Sequence, residues 1–220
     1  MSWFLLRGRC FFCHERIPFR YVLVEVLTSL SAIATYLRFG MTPTGGVIFA
    51  LIVALIILTF IDIDWFILPD VITLPGTAIA LGVAIINQFF EIFSEPIVAS
   101  LWDSFYGLLF GAGALWMVAQ LYLWIRKIDG LGLGDVKLLM MTGILMGPEV
   151  SIYSIFVGSV VGAVGGILTL LIQRKSIRQH YIPFGPYLAI ATVMYIFSGM
   201  WVIEKFVEAM GSVIQSALPL

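Results

Sequence analysis

Six apolar runs, each about as long as a bilayer is thick, constrain this chain more than any other feature: 21–39, 45–61, 71–90, 105–125, 151–172 and 186–203. A helix rises about 1.5 Å per residue, so roughly 20 apolar residues cross the ~30 Å hydrocarbon core. In lipid every backbone polar group needs an internal partner, and helices provide that within a single run. A seventh run, 136–147, is too short to cross untilted, but chain parity and flanking charge count it as a span. Pro148 follows it and is expected to stop that helix. Charged residues are only 11% of the chain against roughly a quarter in soluble domains. The expected fold is therefore all-α, a polytopic transmembrane bundle of about seven spans.

The polar segments carry the orientation. Residues 91–104, with Glu91, Glu95, Pro96 and Asp103, suit a loop or an interfacial helix, and 204–220 has the pattern of an amphipathic tail. Arg7, Arg9, Arg16 and Arg20 precede the first span. Arg126, Lys127 and Lys137 flank the glycine-rich loop, and Arg174, Lys175 and Arg178 separate the last two spans. All ten fall on one side, leaving Arg38 and Lys205 on the other, so the positive-inside rule makes the basic side cytoplasmic. The expected organisation is a cytoplasmic segment 1–20, a membrane-embedded domain 21–205 and a tail 206–220. The stretch Trp3-Phe4-Leu5-Leu6 ends at Arg7 and is too short for a signal peptide. A net charge of −1 with no basic run offers nothing for nucleic acid, so the partner expected from composition is the lipid bilayer.

Two acidic motifs lie where apolar runs meet their flanks: Asp62-Ile63-Asp64, and Asp135 at the end of Gly130-Leu131-Gly132-Leu133-Gly134. Two spans, 71–90 and 105–125, separate them, so both emerge on the same face. A carboxylate at a membrane boundary is costly and points to a functional site with a nearby partner. Two brought together can share a proton and activate water, as in aspartic proteases. The blander readings are specific too. Asp62 can simply mark where its helix leaves the bilayer. Asp64 can cap, bind a cation with Asp62, or hold the working acid in place, and the residues alone do not choose between Asp62 and Asp64. Asp70, after Leu68-Pro69, is most simply an N-cap. Gly132 and Gly134 allow a peptide or facing helix to approach the backbone. Lys137 either steadies the charge of the pair or snorkels to the interface.

The loop 173–187 is most simply an anchored basic connection in which His180 is solvated, with Pro183–Pro186 a rigid wall beside the aspartates. Cys10 and Cys13 stand in the spacing of a metal or redox pair rather than a disulfide framework. With His14 they also match a haem-attachment pattern, which requires the extracytoplasmic side, whereas four arginines and parity place them inside. The rival from another class is an ion- or proton-coupled transporter, although the acids sit at span ends and no internal repeat is visible. A third is an inactive membrane scaffold subunit.

Gly132-x-Gly134-Asp135-x-Lys137, Asp62-x-Asp64 with Leu68-Pro69-Asp70, and Ile182-Pro183-Phe184-Gly185-Pro186-Tyr187 together resemble the type IV prepilin peptidase family. Presenilins and signal peptide peptidases share only Gly-x-Gly-Asp, and their Pro-Ala-Leu is absent here. Ser2-Trp3, Leu6-Arg7-Gly8-Arg9-Cys10-x-x-Cys13, Arg20-Tyr21 and Val24-Glu25 are similar to that family's cytoplasmic cysteine region. The resemblance runs from Ser2 to about Ile203 and implies Asp62 and Asp135 as the catalytic pair. Asp64, Asp70, Gly132, Gly134, Lys137, Pro183 and Gly185 would support them or bind substrate. It implies a prepilin or pseudopilin substrate, cut between its short basic leader and its hydrophobic helix at the cytoplasmic face of a bacterial inner membrane. Full-length members usually begin with a further transmembrane helix and a first Cys-x-x-Cys pair, so an N-terminally shortened chain is expected. Cys10 and Cys13 would then supply half of a zinc site, with His14 a third ligand. Proteolysis is expected to need no cofactor. S-adenosylmethionine enters only if the family's N-methyltransferase activity is retained, and no glycine-rich nucleotide loop follows a strand here.

Overall fold

The computed structural model describes residues 8–9, 11–98, 100–127, 132–173, 183–205 and 208. Cys10, Gly130, Leu131, the basic loop 174–182 and most of the expected tail lie outside the described residues. Every regular element longer than a single bridge among the described residues is helical, as expected. In chain order the elements are α1 (Phe19–Phe39), α2 (Pro43–Trp65), α3 (Asp70–Phe90), α4 (Leu101–Leu108), a π turn (Leu109–Gly113), α5 (Ala114–Arg126), α6 (Leu133–Met146), α7 (Pro148–Gln173) and α8 (Gly185–Ser198).

Among the described residues, five helices are long and apolar enough to cross a membrane: α1, α2, α3, the continuous run Leu101–Arg126, and Pro148–Leu168 within α7. The chain is a multi-pass membrane protein. The two remaining expected spans, at 136–147 and 186–203, are helices of 14 residues each, α6 and α8. That length corresponds to about 21 Å, short of the hydrocarbon core. The expected count of about seven spans is therefore not confirmed by the described residues, of which five helices have full crossing length.

The chain divides into two compact units, Met1–Ile56 and Ile57–Leu220, with the boundary inside α2. In the first unit Arg9 and Arg16 pair as an antiparallel bridge, and the Ile17 amide donates to the Gly8 carbonyl at 2.8 Å. Gly40, at φ +66°, ends α1. Thr42 then caps the next helix: its hydroxyl accepts from the Gly45 amide at 3.1 Å, with Pro43 at the first helical position.

In the second unit α6 is the centre. It packs against α3, α4, the π turn, α5, α7 and α8. Asp135, Leu138, Leu139, Met141, Thr142, Gly143, Ile144, Leu145 and Met146 are all buried along it. A helix apolar all round belongs inside other helices, and these neighbours let a short run sit at the core of the bundle. Glycines bring the axes close. A Cβ on Gly107 or on Gly143 would run into the backbone of the other, and one on Gly76 would meet the Met141 sulfur. Hydroxyls bind what this close approach leaves open. Ser104 donates to the Ile144 carbonyl at 2.8 Å and Ser151 to the Gly107 carbonyl at 2.9 Å. Small residues plus interhelical hydroxyl bonds are the usual means of helix association in lipid. The connection 91–98 is tied back by buried Asn87, which donates to the Val98 carbonyl and accepts from the Phe93 amide, each at 2.8 Å.

Candidate active site

Asp62 lies in the last turn of α2. Along that helix Ile48, Ile52, Leu55 and Leu58 are buried, a stripe at helical spacing. Asp62 continues the same stripe four residues on and is 6% exposed. Asp64, two positions further, turns to the opposite face and is exposed. The fold thus separates the two acids that the residues alone leave equivalent.

Asp135 comes from the other direction. Gly132 is in extended conformation and caps α6, placing Asp135 in the first turn, where it too is 6% exposed. Gly134, just before it, packs on Leu68: a Cβ there would stand 2.7 Å from the Leu68 Cβ. Gly134 is therefore needed for close approach, whereas a Cβ on exposed Gly132 would meet Asp135 Oδ2 at an ordinary 3.6 Å.

The third element is the N-terminus of α8. The Gly185 amide donates to Asp62 Oδ2 at 3.2 Å. A Cβ on Gly185 would be 2.7 Å from Asp62 Oδ2 and 3.3 Å from Asp135 Oδ1. A single atom at that point touches both carboxyls, and the two distances together cap their separation. Pro183 and Phe184 are half-buried beside them, and Pro186 is buried.

Asp70 and Lys137 form an ion pair at the edge of this region, linking the starts of α3 and α6. Two expectations change accordingly. Asp70 is not the N-cap of its helix: Pro69 is, its carbonyl accepting from the Ile72 and Thr73 amides, so Asp70 is the first helical residue and its carboxylate turns to Lys137. Lys137 in turn spends its ammonium on Asp70 rather than on the aspartate pair. Residues two apart on a helix point about 200° apart, which sends Lys137 away from Asp135. Leu68 emerges as a packing partner that sequence reasoning passes over; its only signal is the fixed spacing of Leu68-Pro69-Asp70 after Asp62.

The cysteine segment contributes less. Cys13 is exposed on a turn and Cys10 lies outside the described residues. Among the described residues no group of three or more His, Cys, Asp or Glu side chains is gathered to hold a metal ion. Proteolysis by a carboxyl pair needs no cofactor.

The model of the type IV leader peptidase family matches residues 49–167, which hold both aspartates, and that of the bacterial peptidase A24 N-terminal domain matches residues 1–39. A prepilin leader peptidase/N-methyltransferase of Stutzerimonas stutzeri is 39% identical over 191 residues, 87% of this chain and 63% of that protein. One of Pseudomonas aeruginosa is 35% identical over 211 residues, covering 96% and 69%. One of Aeromonas hydrophila is 37% identical over 193 residues, covering 87% and 62%. The chain spans less than two thirds of the length of the first of these curated relatives. No solved structure matches it. The transporter alternative finds no support in these likenesses. With a family model covering more than half its length and relatives above 30% identity, the chain belongs to the type IV leader peptidase family.

Proposed function

We propose that this protein is an intramembrane aspartic endopeptidase that removes the short basic leader of type IV prepilins or pseudopilins, with Asp62 and Asp135 as its working pair. The observation that carries the reading is the meeting of two buried carboxyls from distant helices around Gly185. Two carboxyls this close, in surroundings this dry, hold one proton between them. The ionised one takes a proton from water as its oxygen bonds to the scissile carbonyl carbon, and the protonated one gives its proton to the carbonyl oxygen. The tetrahedral intermediate then breaks its C–N bond: the protonated carboxyl delivers its proton to the leaving amine, the ionised one takes a proton from a hydroxyl of the intermediate as the product C=O forms, and the pair again holds one proton. Gly132 and Gly134 set the helix start that carries Asp135, Pro183 borders the pair, the Asp70–Lys137 ion pair lies at its edge, and Asp64 faces away from it.

The basic flanks support a site at the cytoplasmic face of a bacterial inner membrane. A substrate with a basic leader and an apolar helix would straddle the same boundary, its scissile bond level with the aspartates. The names of the relatives include N-methyltransferase, so a methylated product belongs among the outcomes to be measured. The test is to reconstitute the purified chain and incubate it with a purified prepilin. Mass spectrometry should find two products divided at the junction of leader and helix. Substrate left intact by well-folded protein would overturn the proposal.

A further inference from the structure

We infer that Gly185 is a positioning residue for the hydrolysis: its amide aims the Asp62 carboxyl, and its missing side chain lets that carboxyl seat against the helix end beside Asp135. The inference rests on the peptidase reading above and adds a residue whose role is steric and backbone-borne.

The need for glycine here is a matter of room. The positive-φ glycines among the described residues are Gly8, Gly40, Gly147 and Gly199, so Gly185 has a backbone any residue adopts. What it could not carry is a Cβ, which would press on Asp62 Oδ2 and Asp62 Cγ and fill the point shared with Asp135 Oδ1. Its amide is equally singular. At the start of α8, Pro186 has no N–H, and the Tyr187 and Leu188 amides both donate to the Phe184 carbonyl. The Gly185 N–H is left to bond Asp62. Proline at the second helical position thus concentrates the donor capacity of this helix end on one carboxyl oxygen.

The helix that presents Gly185 is held firmly. On α7, a Cβ added to Gly158 would crowd Leu188 and the Tyr187 carbonyl, and one added to Gly162 or Gly165 would crowd the Tyr187 ring, so these glycines let the two helices approach closely. Ser154 and Thr192 share a buried hydrogen bond at 3.0 Å between the same two helices. A carboxyl oriented by an amide on so fixed a support loses little freedom at the moment of reaction, and that pre-organisation is what lowers the barrier.

Gly185→Ala tests this. Cleavage of a prepilin in detergent should show kcat reduced at least tenfold with KM within twofold, because leader and helix still bind. A peptide isostere with a tetrahedral hydroxyl at the scissile position should lose at least tenfold in affinity, while thermal melting stays near that of the unchanged protein. A folded Gly185→Ala protein with unchanged kcat and isostere affinity would overturn the role. If the variant does not fold, hydrogen exchange on the unchanged protein decides: the isostere should slow exchange across residues 183–188, and unaltered exchange there with the isostere bound would overturn it. Failure of the peptidase reading looks different, since the unchanged protein would then neither cleave the prepilin nor bind the isostere.

Discussion

A methyl group added to Gly134 would land 2.7 Å from the Leu68 Cβ, one residue before Asp135. Overpacking of this kind costs about 1–3 kcal/mol. Gly134→Ala is therefore expected to lower thermal stability by about that amount and to reduce cleavage by at least tenfold by displacing the neighbouring aspartate. Leu68→Gly in the same chain, which removes the Cβ that the methyl meets, should return part of both. Melting curves and initial rates of the three proteins check this, and a Gly134→Ala protein with unaltered rate would remove the packing role. The Asp70–Lys137 pair is of a different order. With side chains 56% and 30% exposed it contributes at most about 1 kcal/mol, so Asp70→Asn should leave measurable activity. At this scale the aspartates are legible in the sequence because ionisable groups stand out against apolar surroundings. Asp62 cannot be told from Asp64, because α2 is apolar on every side and no pattern shows which face is buried. Gly185 is less legible still: its importance lies in what surrounds it, and its neighbours come from helices 50 and more positions away.

Among the helices, α6 depends most on its neighbours. Replacing Gly143 with leucine would drive a branched side chain into the Gly107 backbone and the Ser151 hydroxyl. Gly143→Leu is expected to destabilise the fold by at least about 1–3 kcal/mol. Differential scanning in micelles should show an earlier transition and faster proteolysis, and a melting curve unchanged from the parent would mean that α4 and α6 do not touch as described. The apolar run that becomes α6 is visible in the sequence, but its start is not. Leu133 joins the helix because Gly132 takes an extended backbone that caps it, pulling Asp135 into the first turn. The run 186–203 is likewise longer than its helix, since Gly199 at φ +61° ends α8 at Ser198. The π turn at Leu109–Gly113 leaves no trace in an unbroken apolar run, because it answers to the packing of Gly111 against Ser151 and the Leu139 carbonyl.

For the whole molecule, charge sets the expected orientation. A reporter fused after Lys127 or after Lys175 should be cytoplasmic, and one fused near Pro43 or Glu95 external. An external reporter at Lys175 would contradict the placing of the aspartates and the Pro-Phe-Gly-Pro turn on one side. The all-helical membrane class is fully legible from run length, since unbroken runs of about 20 apolar residues suit helices, whereas barrel strands need only about 10. The boundary between units at Ile56 and Ile57 is not, because composition does not change in the middle of an apolar helix. The central claim is that two carboxyls, each with its own role, carry out one hydrolysis. The measurement closest to it is prepilin cleavage by Asp62→Asn and Asp135→Asn proteins shown to be folded and membrane-inserted. Each should lose at least about 100-fold in rate, the scale of a general acid or base, while Asp64→Asn retains measurable activity. Full activity in either dyad variant, or loss at Asp64 in place of Asp62, would contradict the account.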